Sequence, residues 1–245
     1  MGNLPLLHCE NLTLDSDLNF ASSKTINLEA RAGEIISIIG PARESKSYWL
    51  QTIGGIMEAG SGQLLISNKN TQQFDKDDWV RARREFAYLH ADTAILSAAN
   101  ALQNLMLPAM YHKTGPAEDL RIKAQLLLTE IEAGENLELL PAYLDKEQRY
   151  KIATARALML NPKALLIENP FRSLEHASVK AFQQFLLNRV KNQNMLLILV
   201  THNIKFALKH SDQIIYVSDQ TMLQFDRDNQ IQHCNIQEVR DYLDA

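Results

Sequence analysis

The sequence predicts an α/β protein with a mostly parallel sheet at its core, on three observations. Short, largely apolar runs at 35–39, 164–167 and 196–200 have the length and composition of strands covered on both faces. The first run passes through Gly40 into GPARESKS, the skeleton of a phosphate-binding loop that opens a helix. The second follows a helical pattern stopped by Asn161-Pro162 and ends on an acid, Glu168.

Composition narrows the class. At 245 residues and 46% hydrophobic content the chain can bury a sizeable core, as one domain with an inserted subdomain. The 29 acidic side chains outnumber 25 basic ones, for a formal charge of -4, so there is no nucleic-acid footprint. Cys9 and Cys234 stand in no ligand-like spacing, which points to a reduced, cytosolic setting without a disulfide framework. No apolar segment approaches the roughly 18 to 20 residues that span a bilayer. The N-terminus lacks the basic-then-apolar order of a signal peptide. Met1-Gly2 begins like a myristoylation motif, but Leu6 occupies its Ser/Thr position. A soluble protein is expected, with any membrane role supplied by a partner.

In chain order, 6–14 and 25–30 read as antiparallel strands joined by a polar turn at 15–19. After the loop at 40–47 and its amphipathic helix, 63–67 reads as a strand, 75–84 as a charged helix and 86–89 as a strand leading to His90. Helical apolar spacing covers 100–111 and 117–133, broken by Thr114-Gly115-Pro116. In the helix at 148–160, Ile152, Ala155, Leu158 and Met159 share one face. Glu168 leaves its strand at the carboxyl end, where open α/β sheets bind ligands; it is either a metal or phosphate-site residue or an ordinary strand-exit carboxylate. The run at 196–200 leads to His202, and strands at 213–217 and 222–225 precede a helix at 236–243.

Taken in order, Gly33-Glu34, GPARESKS, SGQLLI, FAYLH, LDKEQ, ALLIENP, SLE and LILVTHN resemble, over 6–217, the nucleotide-binding subunit of ABC transporters. They stand where that family has its P-loop, Q-loop strand, LSGGQ signature, Walker B strand, D-loop and switch histidine. The resemblance implies a P-loop NTPase fold of the ABC type: a core with an antiparallel β subdomain at 1–90 and 150–245, and an inserted helical subdomain at 91–149. It also implies ATP and Mg²⁺ as ligands, and an integral membrane permease as partner at the cytoplasmic face of the inner membrane. Pairing would be as a homodimer or as a heterodimer with an intact ABC ATPase. NALQNLMLP resembles subunits serving lipid-trafficking and cell-division systems, and Pro170-Phe171 with VRDYLD looks like the ATPase of Mla-type phospholipid transporters that work with MCE proteins. Met106, Leu107, Pro108, Met110 and Tyr111 either line the groove that receives the permease's coupling helix or form an internal helix face.

Carried over residue by residue, Gly40, Ser45, Lys46 and Ser47 belong to the P-loop, and Ser47 and Glu168 face Mg²⁺. His90 stands for the Q-loop glutamine, Asp145 and Gln148 for signature residues, Asn169 for the catalytic glutamate, and His202 for the switch histidine. The departures are extensive. Arg43, Glu44 and Ser45 replace Gly, Ser and Gly, and at about 4 Å and an effective dielectric near 20 Glu44 would repel a phosphate by on the order of 4 kcal/mol. His90 suits coupling or packing better than Mg²⁺, which prefers oxygen. Asp145, Lys146 and Glu147 replace Ser-Gly-Gly. Asn169 cannot take a proton, and loss of a general base costs roughly 10² to 10⁴ in rate. Where an aromatic residue would stack on adenine stand Asp15 and Ser16, with Phe20 as either a displaced stacker or a core residue. A catalytically impaired pseudo-ATPase is expected. The alternatives are an active ATPase with unusual motifs, relying on Lys46, Ser47, Glu168, Gln148 and His202, and a soluble scaffold that kept the fold.

Overall fold

Strands β3 (Ile35–Ile39), β7 (Ala164–Glu168) and β8 (Leu196–Val200) are buried at every position. Unbroken burial requires cover on both faces, and the computed structural model supplies it. It describes residues 4–15, 24–41, 45–92, 94–133, 137–219, 221–227 and 231–244. With β6 (Phe86–Leu89), β9 (Gln213–Val217) and β10 (Met222–Asp226), these strands form a six-stranded sheet in the order β10-β9-β3-β8-β7-β6. All neighbours run parallel except β10, which pairs antiparallel with β9 at the edge. Ser37, the polar residue of β3, satisfies its buried hydroxyl on that of Ser211 at 2.7 Å.

A second, antiparallel sheet has the order β2-β1-β4-β5, from β1 (Leu7–Leu12), β2 (Ile26–Ala30), β4 (Gln63–Ile66) and β5 (Lys69–Asn70). Burial alternates strictly along β2, so one face meets the core. That face joins Trp49, Leu50 and Ile53 of helix α1 (Ser45–Ile53), and these in turn pack on Ile36, Ile38, Leu166 and Ile198 of the parallel sheet. Helix α1 is thus clamped between two sheets, which fixes where the phosphate loop ends. Helix α2 (Lys76–Glu85) begins with a capping box between Asp75 and Asp78.

The opposite face of the parallel sheet carries α3 (Ala101–Tyr111), α4 (Ala117–Glu130), α5 (Lys146–Leu158) and α6 (His176–Gln193). Helix α5 starts two residues before the sequence places it, because Asp145 caps it. It is buried well beyond the expected stripe: Tyr150, Ala153 and Thr154 are enclosed along with Ile152, Ala155 and Leu158. Its end is set by Asn161, left-handed at φ 50°, with Pro162 behind it. Helix α6, the longest among the described residues, runs where the sequence reading places no element; Phe182, Phe185 and Leu186 seat it on the core. Helices α7 (Ile204–His210) and α8 (Gln237–Asp244) close the far side, where Val239 packs with Ile39, Ala207 and Tyr216. Among the described residues no helix is long and apolar enough to cross a membrane.

Leu165 in β7 is wholly buried. Leu165→Ala is expected to lower stability by about 3 kcal/mol through lost contacts and the cavity left behind, measured by urea denaturation. A loss below about 1 kcal/mol would contradict its place at the packed centre of the sheet.

Candidate functional site

The carboxyl ends of β3, β7 and β8 bring Gly40, Glu168, Asn169 and His202 to one edge, the place where open α/β sheets form ligand crevices. Gly40 has φ 137°, and a Cβ there would sit 1.9 Å from the carbonyl oxygen of Val217, so the loop needs glycine at its start. Arg43 and Glu44 lie outside the described residues, as do Ser16 and Phe20. Ser45 is the first residue of α1 and is buried, with Ser47 half-buried one position beyond Lys46.

Lys46 is only 4% exposed. Its Nζ donates to the carbonyls of Gly40 at 2.6 Å and Pro41 at 2.7 Å, so the ammonium is folded back on its own loop. Burial brings its pKa down to about 8.

Glu168 is 2% exposed and surrounded by donors. Oε1 accepts from the Tyr88 hydroxyl and from Gln51 Nε2 at 3.1 Å. Oε2 accepts from the Ala91 N–H at 3.3 Å, with His90 Nε2 at 3.7 Å. Burial, then the bond to Glu168, pushes the Tyr88 phenol above its ordinary range, so it is a permanent donor at neutral pH. Neither Tyr88 nor Gln51 was singled out from the sequence. The signal for Tyr88 was register: it lies opposite Leu166 in the parallel ladder, and Glu168 is two residues on along the same face.

Asn169 sits at φ 46°; its N–H donates to the Val200 carbonyl at 2.8 Å, while Oδ1 is buried with no hydrogen-bond partner among the described residues. It borders a cavity of about 770 Å³ whose polar lining includes Arg172, Thr201, His202, Lys205 and Asp244. Partial burial and the charges of Lys46 and Arg172 hold the His202 imidazole below its usual range, so it is neutral at pH 7.

Asp145 and Gln148 do not join this edge in the single chain. They form a capping box on α5, with Gln148 N–H donating to Asp145 Oδ1 at 2.8 Å and Asp145 N–H to Gln148 Oε1 at 3.0 Å. Glu147 accepts from the Glu175 N–H at 2.6 Å and pairs with Lys151 at 2.8 Å, tying the start of α5 to the loop after β7.

The donor set fits a nucleotide phosphate through Lys46 and the α1 N-terminus better than it fits Mg²⁺. The ion wants an octahedral oxygen shell. The described candidates are the Ser47 hydroxyl and a Glu168 carboxylate already engaged by three donors, with an imidazole beside it.

Comparison with known proteins bears on this arrangement. The family model described as ABC transporter matches residues 23–172. The chain is 32% identical over 219 residues to the probable export ATP-binding/permease protein MacB of Pseudomonas entomophila, covering 88% of this chain and 32% of that protein. It is 28% identical over 200 residues to the lipoprotein-releasing system ATP-binding protein LolD of Hydrogenovibrio crunogenus, covering 81% of this chain and 86% of that one. This chain therefore spans about a third of the MacB-type relatives. Among solved structures, the dimeric ATP-binding cassette MJ0796 in a post-hydrolysis state bound to ADP and Pi matches with a TM-score of 0.82 at 26% identity, over 90% of this chain and 98% of that one.

A polyphosphate that draws Lys46 off the loop carbonyls stabilises its charged form and raises its pKa again. Binding of trimetaphosphate, a polyphosphate that is fully ionised at both pH values, is expected to take up protons at pH 9, and at pH 6.5, where the ammonium is already charged, it is not. Calorimetry in buffers of different ionisation enthalpy reads the difference; equal proton uptake at both pH values would remove Lys46 from the site. Without ligand the sign is also fixed: the unfolded chain holds more protons than the folded one between about pH 8 and the ordinary lysine value, so stability rises with pH across that window.

Proposed function

Because the chain belongs to the ABC transporter family, we propose that it is the ATP-binding cassette of a transporter and that its own hydrolysis is impaired. It holds nucleotide through the P-loop and does not turn it over. The single observation that carries this is Asn169: the side chain at the end of β7, beside the cavity and His202, is an amide that cannot accept the proton of an attacking water. The asparagine is also well suited to its left-handed backbone, where a glutamate would be strained.

The partner is a membrane permease, engaged from the cytoplasmic face as a peripheral component. Support comes from α3, which divides the apolar cluster at its end: Met106 turns into the core, while Leu107, Met110 and Tyr111 are 42%, 55% and 77% exposed. These three offer an apolar surface of the kind a short membrane-protein helix covers. Pairing is with a second copy or with an intact ATPase for which this chain is the impaired half. The likeness to a lipoprotein-releasing protein and the local likeness to Mla-type ATPases support lipid transport across the cell envelope, and the likeness to an export protein supports outward movement.

A second reading is supported by His202. A neutral imidazole beside Asn169 is able to take a proton, which would make the chain an active ATPase with a displaced base. Calorimetry with ATP and a phosphate-release assay on the purified chain separate the two. The expected result is binding, weakened at least about tenfold in Lys46→Ala, without release. Steady release at about 1 s⁻¹ or faster would overturn the proposal, and its loss in His202→Ala would establish the second reading.

A further inference from the structure

We propose that Tyr88 and Gln51 close Glu168 to divalent metal, so that this chain binds nucleotide without Mg²⁺. The inference rests on the nucleotide-binding half of the proposed function and specifies how the site does it.

A carboxylate has about four lone-pair sites. At Glu168 three are met by the Tyr88 hydroxyl, the Gln51 amide and the Ala91 N–H, and the His90 imidazole faces the fourth. The phenol, the amide and the backbone N–H carry no formal charge, so the three hydrogen bonds that offset the burial of this carboxylate bring no cation with them. Admission of Mg²⁺ at its short oxygen distances would displace the donors on at least one oxygen and leave them unpaired.

The donors are also poorly able to leave. Tyr88 is on β6, whose register with β7 is fixed over four residue pairs. Gln51 is on α1, held between the two sheets by Trp49, Leu50 and Ile53. Phenol and amide therefore approach Oε1 from two rigid elements, and their position is set by packing on either side of the strand that carries Glu168. His90 completes the effect, since the exposed side chain that faces Oε2 offers nitrogen and not oxygen.

Tyr88 acts here as a positioning residue, through Glu168. The consequence for recognition is that the polyphosphate is read by Lys46 and the N–H groups at the start of α1, as a metal-free anion.

The test is the affinity of a fluorescent ATP analogue for the full chain in EDTA and in excess Mg²⁺. Wild-type affinity is expected to change by less than about twofold between the two media. Tyr88→Phe keeps the ring and removes the hydroxyl; it should gain a Mg²⁺ dependence of about tenfold. Should that variant fail to fold, Gln51→Ala, which frees the same oxygen from the helix side, should shift in the same direction. Tightening of wild-type binding by Mg²⁺ of about tenfold or more would overturn this inference and leave the proposed function standing. An unchanged cation response in a folded Tyr88→Phe would overturn the role of the phenol. Absence of binding in both media would overturn the nucleotide-binding reading and this inference with it.

Discussion

A carboxylate sealed at the end of a parallel strand must find donors or give up its charge, and the edge of this sheet is arranged to supply them. The phenol from β6, the amide from α1 and the backbone N–H of Ala91 reach Glu168 because strand register and the two-sheet clamp on α1 put them there. None of these contacts forms without the packing beneath it. In its turn, the filled carboxylate fixes the spacing between α1, β6 and β7 at the point where a ligand would enter.

The same logic governs Lys46. Its ammonium is enclosed and hydrogen-bonded to two loop carbonyls, so Lys46 and Glu168 are each satisfied by neutral groups of the chain and not by each other. A nucleotide phosphate must offer Lys46 more than those carbonyls do. A metal must offer Glu168 more than three hydrogen bonds do. The first exchange is favourable on charge grounds, since a phosphate carries full negative charge and a carbonyl only a dipole. The second replaces bonds that fixed elements hold in place.

The parallel core was legible because its central strands are short and largely apolar; the order in which they stand in the sheet was not. Lys46, Glu168, Asn169 and His202 gather at one edge because each closes an apolar run or opens the helix after it, which a sequence shows directly. The network around Glu168 was not legible. Tyr88 and Gln51 are remote from Glu168 in sequence, and only the pairing of β6 with β7 and the seating of α1 bring them together. Helix α6 was legible in principle, since its anchors Phe182, Phe185 and Leu186 have i, i+3, i+4 spacing, but the apolar stripe is narrow and most of the other residues are polar. The sequence reading starts the helix at Gln148, whereas the capping box between Asp145 and Gln148, a local matter of side chain to backbone bonds, draws Lys146 and Glu147 into it.

Those local bonds suggest how the departures from the family pattern hang together. A Ser-x-x-Gln signature is itself a capping box, and Asp145 with Gln148 keeps it. Lys146 and Glu147 replace glycines in the first turn, each a gain of up to about 1 kcal/mol in helix propensity, and Glu147 further favours the positive end of the helix and binds the Glu175 N–H. Asn169 relaxes a left-handed position where glutamate would be strained. Each change exchanges a group that a composite ATP site would use for one that stabilises this chain alone. Functional sites commonly store strain and unfilled donors, and the impaired turnover proposed above would remove the reason to keep them. A scaffold that tightens at the positions where catalysis would need slack is consistent with a cassette that binds, docks and does not hydrolyse.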